Sequence, residues 1–236
     1  MKNQYFGDVA DLFKYDLIYR IVKGIPYERF TFVTMLTERD RSNEGNQLDY
    51  SKGAGYKNTE LLRHLDYCVR HDRRNVCEIE SYFEDRDIGI TLYGREETFS
   101  VRTREEYFRR IDPQLLTDTL VFVDPDIGFQ IQKSREKHIL YSEVTSLVDR
   151  MSNETILMVF QHFSPRMPHE LTINKVLNNL LETIEHVPIW ICDSKIAFFF
   201  LTKDSAVEQS LARVIKEYLY EYPKLKSSIE VSQSQS

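Results

Sequence analysis

The chain has 236 residues, 42% of them hydrophobic and 12% aromatic, which is enough for a full core; a net charge of -6 and pI ≈ 5.6 exclude a globally basic surface that would attract nucleic acid. Cys68, Cys77 and Cys192 form no CxxC pair and are odd in number, so neither a disulfide framework nor a zinc knuckle is indicated, and a reducing, cytoplasmic setting is expected. Met1-Lys2-Asn3-Gln4 leads into an amphipathic segment rather than an apolar signal core, and no run approaches the roughly 20 apolar residues of a membrane span, so no membrane partner is expected.

Asp8 precedes a helical pattern through Val9, Leu12, Phe13, Leu17, Ile18, Ile21 and Val22, which Gly24 and Pro26 stop. Phe30 to Leu36 is β-branched and aromatic and reads as a strand, entering the long polar loop 37–46. Asn58 to Val69 reads as a helix on Leu61, Leu62, Leu65 and Val69, while Asn75 to Phe83 and Gly89 to Tyr93 read as short strands. A helix rich in Arg and Glu is expected over Thr103 to Leu116 and another over Ser134 to Met151. Between them Leu120 to Val123 is apolar on both pleat faces, as is Thr155 to Phe160 further on, the pattern of central parallel strands covered by helices. Pro168 to His186 predicts a helix. Pro188 to Cys192 and Ile196 to Thr202, separated only by Asp193-Ser194-Lys195, predict an antiparallel hairpin. A last helix is expected over Asp204 to Tyr222, then a polar, frayed tail from Ser227. Residues 1–226 are thus expected to form one α/β domain, Rossmann-like, with a mostly parallel sheet, helices on both faces and a C-terminal antiparallel hairpin.

The chemistry concentrates at strand ends. After Val123 the chain reads Asp124-Pro125-Asp126-Ile127-Gly128, so Pro125 ends ladder pairing and leaves two carboxylates where open α/β sheets bind ligands. The bland alternative is a turn in which Asp126 caps the next segment and Gly128 supplies a positive φ. Gln161-His162 follows the second apolar strand and places His162 beside Asp124 for acid/base work, or as a satisfied, partly buried histidine.

Gln4-Tyr-Phe-Gly-Asp-Val-Ala-Asp-Leu-Phe-Lys-Tyr15, the Met35-Leu-Thr37 strand end with its acidic loop, Val123-Asp-Pro-Asp-Ile-Gly128 and Gln161-His-Phe163 together resemble a widespread family of uncharacterised bacterial and archaeal proteins. More distantly, Phe6-Gly7, Ala10-Asp11 and Lys14 followed by Asp124-Pro125 resemble the layout of the 23S ribosomal RNA adenine-N6 methyltransferases and the three-Cys-motif partner proteins. The predicted hairpin ending is also that of Rossmann-like methyltransferases. The resemblance implies S-adenosylmethionine as cofactor and a nucleic-acid amine as acceptor, with Lys14 near the cofactor carboxylate and Asp124 near the amine. The candidate cofactor-side residues are Phe6, Lys14, Thr37 and Asp40; the candidate catalytic residues are Asp124, Pro125, Asp126 and His162. Two departures stand out. Asp126 and Ile127 occupy the places of a proline and an aromatic residue in the amine-methylating pattern, and no Gly-x-Gly turn follows Leu36.

Those departures keep two alternatives open. Asp124 and Asp126, joined by His162 and Asp40, would suit Mg²⁺ or Mn²⁺ and phosphodiester hydrolysis in a phosphoesterase or nuclease. A scaffold without its donor loop would instead serve as a non-catalytic binding module. RNA or DNA contact is expected only through local patches at Arg70, Arg73 and Arg74 or at Arg102, Arg104, Arg109 and Arg110, whose bland reading is a solvated helix face. Lys14 has its own bland reading, a surface lysine with a snorkelling stem.

Overall fold

A computed structural model describes residues 1–40, 45–51, 53–184 and 187–229. Strands β1 (Arg29–Val33), β2 (Gly89–Tyr93), β3 (Leu120–Val123), β6 (Ile156–His162), β7 (Ile189–Cys192), β8 (Ile196–Leu201) and β9 (Lys226–Ser227) form one sheet in the order β2-β1-β3-β6-β8-β7-β9. A separate two-stranded ribbon pairs β4 (Gly128–Phe129) with β5 (His138–Ile139). The β2-β1-β3-β6 portion is parallel. β8 runs antiparallel to both β6 and β7, so the last long strand is laid backwards between its neighbours. The architecture is a Rossmann-like α/β fold, as the sequence predicts.

Alternation along the strands divides the core in two. Phe30, Phe32, Leu120, Phe122, Ile156, Met158, Phe198 and Phe200 pack on one face beneath α1 (Val9–Gly24), α2 (Thr59–Arg70), α3 (Ile79–Glu84) and α7 (Ser205–Glu221). Val33, Val121, Val123, Leu157, Val159 and Phe199 pack on the other beneath α4 (Arg104–Arg109), α5 (Tyr141–Arg150) and α6 (His169–Leu181). Asp8 caps α1 by accepting the amides of Ala10 and Asp11, while Asn58 caps α2 and Asp204 caps α7. At the heart of the α1 side, Asp16 is fully buried, accepting from Asn58 Nδ2 at 2.8 Å and from the Tyr218 hydroxyl at 2.9 Å. Among the described residues no helix is long and apolar enough to cross a membrane.

Several predicted elements differ. The expected strand Asn75–Phe83 is a 3-10 turn over Val76–Glu78 followed by α3: Asn75 accepts the Cys77 amide, and Ile79, Tyr82 and Phe83 meet the core at helical spacing. The helix expected over Thr103–Leu116 stops at Arg109, because Pro113 disfavours helical backbone at Asp112 and opens a 3-10 turn instead. The helix expected from Ser134 begins only at Tyr141, since His138–Ile139 pairs with Gly128–Phe129 and Glu143 reaches back to the Leu140 amide at 2.8 Å. β1 ends at Val33 rather than Leu36, Met35 taking a positive φ of 38°. The helix expected to reach His186 ends at Leu181, and Glu185 and His186 lie outside the described residues. Of the tail, Ser227 is paired to β7 rather than frayed, and residues 230–236 lie outside the described residues.

Candidate functional site

The chain steps from β1 to β2 on one side and then returns to β3 on the other, so the strand order reverses between β1 and β3. In an open α/β sheet the crevice at such a switch point, beyond the carboxyl ends of the strands, is the ligand position. Asp124 follows β3 there, and its amide donates to the Val33 carbonyl at 3.1 Å, continuing the ladder one residue before Pro125 ends it.

Lys14 is buried, not snorkelling: α1 carries it under the sheet end, where Nζ lies 2.7 Å from both Asp11 Oδ1 and Asp124 Oδ2. A lysine this deep stays charged only when paired. Burial alone would lower its pKa, but the carboxylates of Asp11 and Asp124 outweigh that and hold it above the ordinary lysine value. Burial pushes the Asp124 carboxyl up, and Lys14 and the Met1 amino group offset only part of this.

Asp126 belongs to a second cluster. It pairs with Lys2, lies 3.4 Å from Lys137 Nζ and accepts from Thr37 Oγ1 at 3.3 Å. Burial would raise this carboxyl, yet the Met1 amino group, Lys2 and Lys137 bring it below the usual aspartate value. Asp40 joins from the loop after β1, 3.5 Å from Lys2 Nζ and 3.8 Å from Lys137 Nζ. Met1 bridges the segments that follow β1 and β3: the Thr37 amide donates to the Met1 carbonyl at 2.8 Å, and Met1 N donates to the carbonyls of Met35 and Asp124.

The loop from Asp126 to Phe129 is clamped by Gln161, whose Oε1 accepts the Phe129 amide at 2.9 Å and whose Nε2 donates to the Ile127 and His162 carbonyls. Gly128 is required there. Its φ is +138°, and a Cβ would stand 2.4 Å from Gln161 Oε1. Asp126 caps no helix; the bland turn reading holds only for Gly128.

His162 is not brought to this site. It is exposed, and among the described residues its side chain has no hydrogen bond or ion pair to Asp124 or Asp126; its neighbour Gln161 faces the loop instead. The Asp124–Asp126–His162 metal set is therefore not assembled, each carboxylate already holding a lysine ammonium where a cation would sit. No group of three or more His, Cys, Asp or Glu among the described residues is arranged to hold a metal. Phe6 is fully buried core, its ring 6.2 Å from that of Tyr15.

Beside these clusters a polar cavity of about 900 Å³ runs over the ends of β1 and β2, lined by Thr37, Asp40, Asn46, Asp72, Glu96 and Thr98 among others. A smaller lobe of about 360 Å³, lined by Lys2, Phe99, Glu136 and Lys137, shares Thr37–Asp40 and Thr98 with it. Of the candidate residues, Thr37 and Asp40 line the cavity, whereas Phe6, Lys14, Asp124, Pro125, Asp126 and His162 do not.

No family model, curated protein or solved structure matches the chain. The fold and the site therefore carry the functional reading alone.

Lys2 and Lys137 had no signal in the sequence. Asp11 did, since an i, i+3 pair with Lys14 puts opposite charges on one helix face. The basic patches are largely neutralised by acids: Arg70 by Asp66 at 3.0 Å, Arg73 by Glu78 at 2.6 Å, Arg104 by Glu143 and Arg110 by Glu97 at 2.8 Å.

Proposed function

We propose that the chain binds S-adenosylmethionine in the polar cavity and transfers its methyl group to an exocyclic amine of an unpaired nucleic-acid base. One observation carries this reading: a polar cavity of about 900 Å³ is lined by the loops after β1 and β2, and one of its lining residues, Thr37, donates to Asp126, two residues beyond Asp124. Its residues suit an adenosyl ligand: Asp72 and Glu96 can accept from ribose hydroxyls, while Asn46 and Thr98 can pair with a base edge. The positive φ of Met35 gives the loop after β1 a turn without glycine.

When bound, the cofactor supplies an electrophilic methyl carbon. The protein's part is to hold the amine in line and take up its proton. The Pro125 carbonyl and the Asp124 carboxylate are acceptors suited to an amine. Lys14 can keep its bond to Asp11 while Asp124 turns to the substrate, so the ammonium is never left unpaired. The raised pKa of Asp124 makes it a better proton acceptor than an ordinary aspartate. The binding-module alternative is favoured by one observation, that Asp124 is already satisfied by Lys14.

Calorimetric titration tests the proposal. S-adenosylmethionine and S-adenosylhomocysteine are expected to bind one site in the wild type and to be blocked by Thr98→Trp, which fills the cavity. Stabilisation by Mg²⁺ or Mn²⁺ with no response to either nucleoside overturns it.

A further inference from the structure

Lys2 is a rare arrangement, a lysine about 1% exposed on a short segment next to an open cavity. Its Nζ donates to Thr37 Oγ1 at 3.1 Å, pairs with Asp126, lies 3.5 Å from Asp40 Oδ2 and stands 5.5 Å from the centre of the Tyr5 ring. Two carboxylates, a hydroxyl oxygen and an aromatic ring around one cation are the parts from which proteins build sites for organic ammonium ions. Lys2 also lines the smaller lobe, so its own side chain forms part of the wall between the cavity and Asp126. The carboxylates do not depend on it alone. Lys137 Nζ lies 3.4 Å from Asp126 and 3.8 Å from Asp40, so a Lys2 that swings out leaves neither without a cation.

We propose that Thr37, Asp40, Asp126 and Tyr5 form an ammonium-binding subsite, that Lys2 is its tethered occupant, and that a ligand bearing a primary ammonium group takes the position when Lys2 leaves. The ligand is either a free amine or the amino-acid end of the adenosyl cofactor; only the second identity rests on the proposed function. Thr37 and Asp40 of the subsite line both lobes and Lys2 lines the smaller one, so a ligand that takes the position of Lys2 can extend into the larger lobe.

Lys2→Ala opens the subsite, and ethylammonium chloride is the probe. Ethylammonium is expected to raise the melting temperature of Lys2→Ala by about 3 °C or more beyond matched NaCl, and to do so neither in the wild type nor in Lys2→Ala/Asp126→Asn. Equal responses to the two salts overturn the subsite. If Lys2→Ala does not fold, refolding in each salt makes the same comparison: recovery in ethylammonium alone supports the subsite, and recovery in neither overturns it. S-adenosylhomocysteine and methylthioadenosine, which lacks the amino-acid portion, then separate the two ligand sources. Tighter binding of the former by Lys2→Ala, about tenfold, with no change for the latter, assigns the subsite to the cofactor. If neither nucleoside binds either protein while ethylammonium still acts, the proposed function fails and the subsite stands as a free-amine site. If S-adenosylhomocysteine binds wild type and variant equally and ethylammonium has no effect, the subsite fails and the proposed function stands.

Discussion

Asp124 and Asp126 are separated by a single proline yet serve different charge clusters: Asp124 Oδ2 lies 2.7 Å from Lys14 Nζ under α1, while Asp126 turns to Lys2 and Lys137 beside the cavity. Both carboxylates have about 5% or less of their side chains exposed, and their pKa values move in opposite directions.

That opposition sets a pH signature. Asp126, lowered from 3.8, contributes stability that is present above 3.8 and lost as the pH falls through its folded value. Asp124, raised from 3.8, contributes in the reverse sense: its share is fullest below 3.8 and lost as the pH rises through its folded value. Urea unfolding between pH 7 and 3 is expected to show a shallower acid-side loss for Asp126→Asn than for wild type and a steeper one for Asp124→Asn. Slopes altered in the same direction by both substitutions would contradict the assignment.

Removing the shared lysine is expected to be far more damaging than removing one of its partners. Lys14→Met leaves Asp11 and Asp124 buried without their cation and should cost about 3–5 kcal/mol in chemical denaturation. Asp124→Asn should cost clearly less, because Lys14 keeps Asp11.

Gly128→Ala combines an unfavourable φ with a collision and should lose roughly 2–3 kcal/mol. Adding Gln161→Ala removes the collision but not the φ. The double variant is therefore expected to be more stable than the sum of the single losses predicts, by a margin that a double-mutant cycle resolves.

Arg104 grips Glu143 with two nitrogens, donates to the His138 carbonyl at 2.8 Å and lies over the Phe99 ring. Arg104→Lys cannot reproduce the fork and should cost about 1–3 kcal/mol. Loss of the Glu143 tie to the Leu140 amide should accompany it, visible as faster hydrogen exchange at Leu140.

The frame of the site is legible from the sequence because its strands are extreme: β3 and β6 are apolar on both faces, Pro125 marks where pairing stops, and the short Asp193–Lys195 connection forces a hairpin. α3 is not legible, since its six residues offer too little periodicity to overrule the β-like composition of Asn75–Phe83. The charge clusters escape for a different reason. The Lys2–Asp126 and Lys14–Asp124 pairs close over 124 and 110 residues, and no local pattern specifies a partner that distant. His162 illustrates the limit at one residue: side chains alternate along a strand, so the position that faces Gly128 and its loop belongs to Gln161.

The reversed strand β8 also dictates an order of events. All six of its residues are buried, and it stands between β6 and β7, both of which precede it in the chain. Until residue 201 has emerged during synthesis, β6 offers a long apolar edge with open hydrogen-bonding groups, the kind of surface on which nascent chains associate. A ribosome stalled short of β8 therefore carries a sticky half-sheet, and a chaperone that shields β6 for those few dozen residues should raise the yield of folded protein.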